Sequence, residues 1–195
     1  MEQPRPEVVP GERIYLTHLR RDDVPLLASW FADLELNAYL GRVGNSFTLE
    51  QEQQWFDSLA GDAGNVTFGI VVRQSGRLIG SVSLMHINHQ HGRAELGIAI
   101  GDKLAWSQGY GTEAVRLMAE YGCFFLGLYA IMLSFVEFNE RGRQAYLRAG
   151  FREAGRWRKA YRIGDERYDS VWMDITRDDL DLSRMRRLVG LLPDR

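Results

Sequence analysis

Gly109 and Gly111 sit in the run Trp106-Ser107-Gln108-Gly109-Tyr110-Gly111-Thr112-Glu113-Ala114, between the apolar segment Leu96-Gly97-Ile98-Ala99-Ile100 and a stretch with helical apolar spacing. A loop that opens a helix collects backbone N–H groups with no intrahelical partner, at the positive end of the helix dipole. Two positions without a Cβ let a bulky anion such as a diphosphate approach the main chain. The chemistry suggested is therefore anion binding. The spacing G-x-G-x-x-A also fits a dinucleotide fingerprint, with Glu137 imitating its ribose-binding acid. A dinucleotide fold, however, places these glycines directly after the first strand of repeated βαβ units, and here about a hundred residues of strands and hairpins precede them.

Other reactive residue types give weaker signals. His86, His89 and His91 are closely spaced, but across a turn and with no acidic or cysteine ligand beside them, so a solvated turn is expected and no metal site. Cys123 is the only cysteine, which rules out an intrachain disulfide and a cysteine metal cluster; its position on the apolar side of a helix predicts a buried, inert thiol. The cluster Arg156-Trp157-Arg158-Lys159 has the composition of a nucleic-acid patch, yet fits the charged outer face of a twisted hairpin better.

The elements that must position the glycine loop follow from periodicity. Residues 1–10 read as a disordered lead. Arg13–Thr17 alternates as a strand, and Arg21-Asp22-Asp23 leads into a helix over Val24–Ala32. A helical piece near Leu34–Leu40 and a helix after Thr48-Leu49-Glu50-Gln51, which has capping-box spacing, come next. Strands Val66–Arg73, Leu78–Ile87 and Ala94–Ile100 form an antiparallel meander. The helix from about Gln108 to Phe125 crosses over to a strand, Ala130–Glu137, expected to run parallel to Ala94–Ile100. Asn139 caps a helix ending at Gly150, and Phe151–Ile163 with Arg167–Ile175 makes a hairpin about Gly164-Asp165-Glu166. Residues 177–195 form a tail with a helical pattern.

With 195 residues, 45% of them hydrophobic, the chain suits one domain, placed here at residues 11–176. A net charge of -2 gives no general pull toward nucleic acid. No segment has the apolar length of a signal peptide or a membrane span, so a soluble, cytoplasmic protein is expected, with no membrane partner.

Three motifs on this strand–helix–strand–helix frame resemble the GNAT acyltransferases, and within them the branch of the ribosomal-protein N-terminal-alanine acetyltransferases. They are Ala94-Glu95-Leu96-Gly97-Ile98, then Gly109-Tyr110-Gly111-Thr112-Glu113-Ala114, then Asn139-Glu140-Arg141-Gly142 with Ala145-Tyr146 and Ala149-Gly150-Phe151. One position departs from the family: Trp106 stands where its phosphate-loop signature begins with Gln or Arg. The resemblance implies an α/β (α+β) GNAT fold, a mixed and mostly antiparallel twisted sheet with a central, splayed parallel strand pair and flanking helices.

It also implies acetyl-coenzyme A as cosubstrate. The diphosphate would lie on Trp106, Ser107, Gln108, Gly109, Tyr110, Gly111 and Thr112, and the pantetheine arm in the gap beside Gly97, Ile98 and Ile100. Asn139 resembles the residue that hydrogen-bonds that arm, and Tyr146 the tyrosine that protonates the departing thiolate; a core tyrosine is the competing reading. Arg143 and Arg141 are placed near the adenosine phosphate, or on a solvated helix face. The Ile98 N–H would hold the thioester oxygen, and Glu95 is the candidate base, directly or through a water, or else a strand-edge salt bridge.

The expected reaction is acetyl transfer to a primary amine, on a small molecule or at a peptide or protein N-terminus, by direct attack in a ternary complex. An α-amine, which stays partly neutral near pH 7, is expected to outrun a lysine side chain. Asp22, Asp23, Asp33, Glu35, Glu50 and Glu52 are the acids available to meet a cationic acceptor. A non-catalytic acyl-coenzyme A-binding module and an NAD(P)-dependent oxidoreductase are the rivals, and a homodimer through the tail is compatible with the pattern.

Overall fold

The computed structural model describes residues 4–193. Its eight-stranded sheet has the order β1-β2-β3-β4-β5-β6-β8-β7. The strands are β1 (Val9–Pro10), β2 (Ile14–Thr17), β3 (Val66–Val72), β4 (Leu78–Asn88), β5 (Arg93–Ile100), β6 (Ala130–Val136), β7 (Arg152–Ile163) and β8 (Glu166–Thr176). All neighbours are antiparallel except β5 and β6, which the crossover helix α4 (Tyr110–Phe125) connects in parallel. That connection follows the expectation from the sequence.

The parallel ladder is short. It pairs Arg93 with Ala130, Ala94 with Ile131 and Glu95 with Met132, and then stops. Beyond it β5 continues on β4 as far as Ile100 opposite Gly80, while β6 continues on β8 as far as Val136 opposite Ser170. The sheet therefore opens into two halves from Leu96 onward. Gly101 N–H donates to the Ile79 carbonyl, so strand alternation turns the Gly97 and Ala99 main-chain groups toward β4 and those of Leu96, Ile98 and Ile100 into the opening.

Helix α4 closes one face of the sheet through Val115, Met118, Ala119 and Gly122, all buried. Gly122 is there because the helix comes too close for anything larger: a Cβ would lie 2.7 Å from Leu84 Cδ1 and 3.2 Å from Ile131 Cδ1. Helices α1 (Val24–Phe31), α2 (Leu34–Tyr39) and α3 (Leu49–Ser58) form a second apolar cluster with Ala99 at the mouth of the opening. Thr48 caps α3 with the capping box that its spacing predicted. Helix α5 (Glu140–Ala149) follows β6, capped by Asn139 and ended by Gly150 at φ 105°.

Two sequence expectations need correction. The lead 1–10 is not disordered throughout: Val9 pairs with Leu16 and is fully buried, and Glu7 holds Arg73; residues 1–3 lie outside the described range. Helix α4 begins at Tyr110 rather than Gln108, because Ser107 (φ 60°) and Gly109 (φ 85°) are both left-handed. The tail adds a short helix, α6 (Ser183–Leu188), whose Met185 is fully buried in the main core.

Candidate active site

The loop before α4 is built in two steps. Asp102 accepts from Leu104 N–H and starts a tight turn over Lys103–Ala105, and the left-handed Ser107 and Gly109 then redirect the chain into the helix. No side chain caps α4, so its first amides are left for an outside partner. A Cβ on Gly111 would find Ile100 Cγ1 at 3.8 Å and nothing closer, so the space in front of this glycine is open. Uncapped amides and an open approach are what a diphosphate requires, and the loop fits one on these grounds.

A cavity of ≈ 440 Å³ runs from this loop into the strand opening. Ile98, Ile100, Trp106, Ser107, Gly109, Gly111, Thr112, Asn139 and Tyr146 all line it. Gly97, Gln108, Tyr110 and Arg143 do not. Gly97 faces a second cavity of ≈ 540 Å³ on the other side of β5. Gln108 and Tyr110 are braced from outside by Arg13, whose Nη1 donates to the Gln108 carbonyl at 2.7 Å and whose Cζ lies 4.5 Å from the Tyr110 ring centroid. Arg143 turns toward Glu140 and Glu153, at 3.7 and 3.6 Å.

Of the two arginines expected near the adenosine phosphate, Arg141 alone lines the cavity. Its Cζ lies 3.7 Å from the Trp106 ring centroid and 4.8 Å from that of Tyr39. The face of α5 running Arg141, Ala145, Arg148 has i, i+4, i+7 spacing, a signal already present in the sequence. Trp106 is fixed by its indole N–H, which donates to the Ile100 carbonyl at 2.7 Å. Asn139 accepts from Gly142 N–H at 2.9 Å and donates to the Tyr39 carbonyl at 3.3 Å, tying α5 to α2. Arg13 is a contributor that sequence reasoning missed, since it stands in no motif, whereas Tyr39 is one of the early-helix aromatic residues among which helical spacing did not pick out the pocket-lining members.

The second cavity is lined by Glu95 and Glu52, by Ser81, Ser83 and Ser134, and by the aromatic residues Phe31, Phe47 and Trp55. The two cavities share Tyr39, Leu40, Ile98 and Tyr146, and so meet where β5 parts from β6. Tyr146 is 8% exposed and packs against Phe135; burial pushes its phenol up to about 12, so it holds its proton at neutral pH. Glu95 is paired with His86 Nδ1 at 3.3 Å. Burial pushes the Glu52 carboxyl upward, against the opposing influence of Arg42.

Among the described residues no group of three His, Cys, Asp or Glu side chains gathers as a metal site. Cys123 is buried and its thiol is pushed up to about 11. No described helix is long and apolar enough to cross a membrane.

A mixed sheet that splays beside an uncapped glycine loop, with two cavities meeting at the split, defines an acyltransferase fold of the GNAT type. The chain belongs to that family: the acetyltransferase (GNAT) domain model matches residues 13–152. It is 26% identical over 151 residues to the uncharacterized N-acetyltransferase YoaA of Bacillus subtilis, covering 76% of this chain and 84% of that one. It is 32% identical over 105 residues to the spermidine N(1)-acetyltransferase of Escherichia coli, covering 54% of this chain and 56% of that one.

Among solved structures, spermidine N-acetyltransferase from Vibrio cholerae in complex with CoA and spermine shares the fold at TM-score 0.79 and 21% identity, covering 87% of this chain and 98% of that chain. A GNAT-family acetyltransferase from Bacillus anthracis does so at TM-score 0.75 and 20% identity, covering 87% and 98%. These relatives establish an N-acetyltransferase family and an acyltransferase enzyme, which removes the oxidoreductase reading. They do not single out the ribosomal-protein-alanine branch.

Proposed function

We propose that this protein transfers the acetyl group of acetyl-coenzyme A to a primary amine of a small molecule, by direct attack in a ternary complex. The observation that carries the reading is the meeting of the two cavities at Ile98 and Tyr146, where the strands separate. Acetyl-coenzyme A supplies a thioester carbon open to attack by nitrogen. The uncapped start of α4, from Gly109 to Thr112, holds its diphosphate, Arg141 adds positive charge beside Trp106, and Asn139 bonds the pantetheine arm.

The Ile98 N–H, turned into the opening, binds the carbonyl oxygen, an effect worth about 3 kcal/mol in other acyl transfers. Glu95 receives the amine's proton, directly or through a water. As the C–N bond forms and the C–S bond breaks, Tyr146 gives its proton to the sulfur. A phenol that stays protonated at neutral pH suits that task. Because its donor is an intracellular metabolite, the enzyme is placed in the cytoplasm. The small-molecule acceptor rests on the spermidine acetyltransferases among the relatives.

The experiment is an acceptor screen that follows thiol release from acetyl-coenzyme A with polyamines, aminoglycosides, amino acids and amino-terminal peptides. Turnover of small amines is expected. Turnover confined to peptides would move the acceptor to protein N-termini, and coenzyme A binding without any turnover would leave a binding module.

A further inference from the structure

Glu52 is the conspicuous residue of the second cavity. It sits on α3 and lines that cavity while only 5% exposed. Among the described residues none donates a hydrogen bond to its carboxylate and none forms an ion pair with it. Of the other acids of the early helices, Asp23 is held by Arg5, Asp33 and Glu35 by Lys103, and Asp57 by Arg21, while Asp22 and Glu50 are exposed to solvent. Arg42 lines the same cavity and opposes the effect of burial on Glu52, but lies over the rings of Phe31 and Phe47 at 5.7 and 5.5 Å and forms no ion pair with the carboxylate. A carboxylate buried without a partner is costly, and a cation entering the cavity relieves that cost.

We propose that Glu52 is the specificity-determining carboxylate of the acceptor cavity, and that it pairs with an ammonium group of a linear diamine or polyamine whose other end reaches Ile98 and Tyr146. The proposal rests on the N-acetyltransferase reading and gives it a substrate class. Glu52 lines only the second cavity, whereas Ile98 and Tyr146 line both, so it stands away from the junction where transfer occurs. The nitrogen that attacks must be neutral, so a cation held by Glu52 belongs to a different nitrogen of the same molecule. Phe31, Phe47 and Trp55 also line this cavity and offer apolar walls that suit methylenes.

The test is calorimetric titration of the coenzyme A-loaded protein with α,ω-diaminoalkanes and with n-alkylamines of matched length. The parent should bind the best diamine at least tenfold more tightly than its monoamine. Glu52→Gln, nearly the same shape, should erase that difference without lowering the melting temperature or the coenzyme A affinity, and Glu52→Asp should restore part of it. Equal binding of the two series by the parent, or an undiminished preference in Glu52→Gln, overturns the proposal. In steady-state assays Glu52→Gln should raise KM for diamines with kcat little changed. If the parent releases no thiol with any amine yet shows the preference and its loss in Glu52→Gln, acetyl transfer falls and the Glu52 assignment stands.

Discussion

The guanidinium carbon of Arg141 lies 3.7 Å from the centroid of the Trp106 ring, so a cation from α5 stands on the residue that replaces the usual polar group of the phosphate loop. The loop lacks that side-chain donor, and the facing helix brings a cation to the same place. Arg141 makes no ion pair or hydrogen bond among the described residues, which leaves its donors available to a phosphate. Arg141→Ala should weaken coenzyme A binding by tenfold or more, in line with the roughly 1.5–3 kcal/mol of a hydrogen bond to a charged group. Calorimetric titration checks this. Arg141→Lys should fall between, because an ammonium keeps the charge and loses the planar fork.

The two loop glycines should respond differently. Gly111 has an ordinary φ and open space at its Cβ position, so Gly111→Val leaves the fold stable and blocks the approach of the diphosphate. Gly109 has φ 85°, so Gly109→Ala strains the loop by about 1 kcal/mol before any ligand is considered. Melting curves and coenzyme A titrations on both variants separate the effects. Unchanged coenzyme A affinity in a folded Gly111→Val would remove the cradle from this loop.

Tyr146→Phe should leave coenzyme A affinity nearly intact and slow turnover by about a hundredfold if the proton donor is lost. With the phenol pushed up to about 12, the parent should show no loss of rate from Tyr146 ionisation below pH 10. A rate within twofold of the parent would make Tyr146 a packing residue.

Glu95→Gln is read through the pH profile of the rate. With Glu95 as base, the rise of rate with pH should move toward the ionisation of the acceptor amine itself. An unaltered profile would assign the proton to water or to another residue.

Glu120 predicts a pH dependence of stability rather than of rate. It is 3% exposed on α4, with Arg116 Nε and Arg184 Nε each 3.8 Å away. Burial raises its carboxyl above the ordinary 4.5 more than the two arginines lower it. Below 4.5 both folded and unfolded states hold the proton. As pH rises, the unfolded state releases it first, so the parent loses stability relative to Glu120→Gln until the folded carboxyl has also ionised. The melting-temperature difference should therefore shift in favour of the variant as pH rises through and above 4.5. A constant difference would mean that the arginines fully offset the burial.

The sequence alone determined what depends on neighbours along the chain. The Thr48 capping box, the Asn139 cap, the left-handed Gly150 and the glycine loop before α4 are short-range features, and all are found where their spacing placed them. The parallel direction of β6 followed from the crossover helix. Tertiary structure decided what depends on which surfaces meet. Local pattern did not separate Arg141 from Arg143; the packing of α5 beside Trp106 and Tyr39 did, by turning one into the cavity and the other toward Glu153. Glu52 was one acid among six in sequence. It became the buried acid without a partner because α3 turns it into the second cavity, where no cation among the described residues pairs with it.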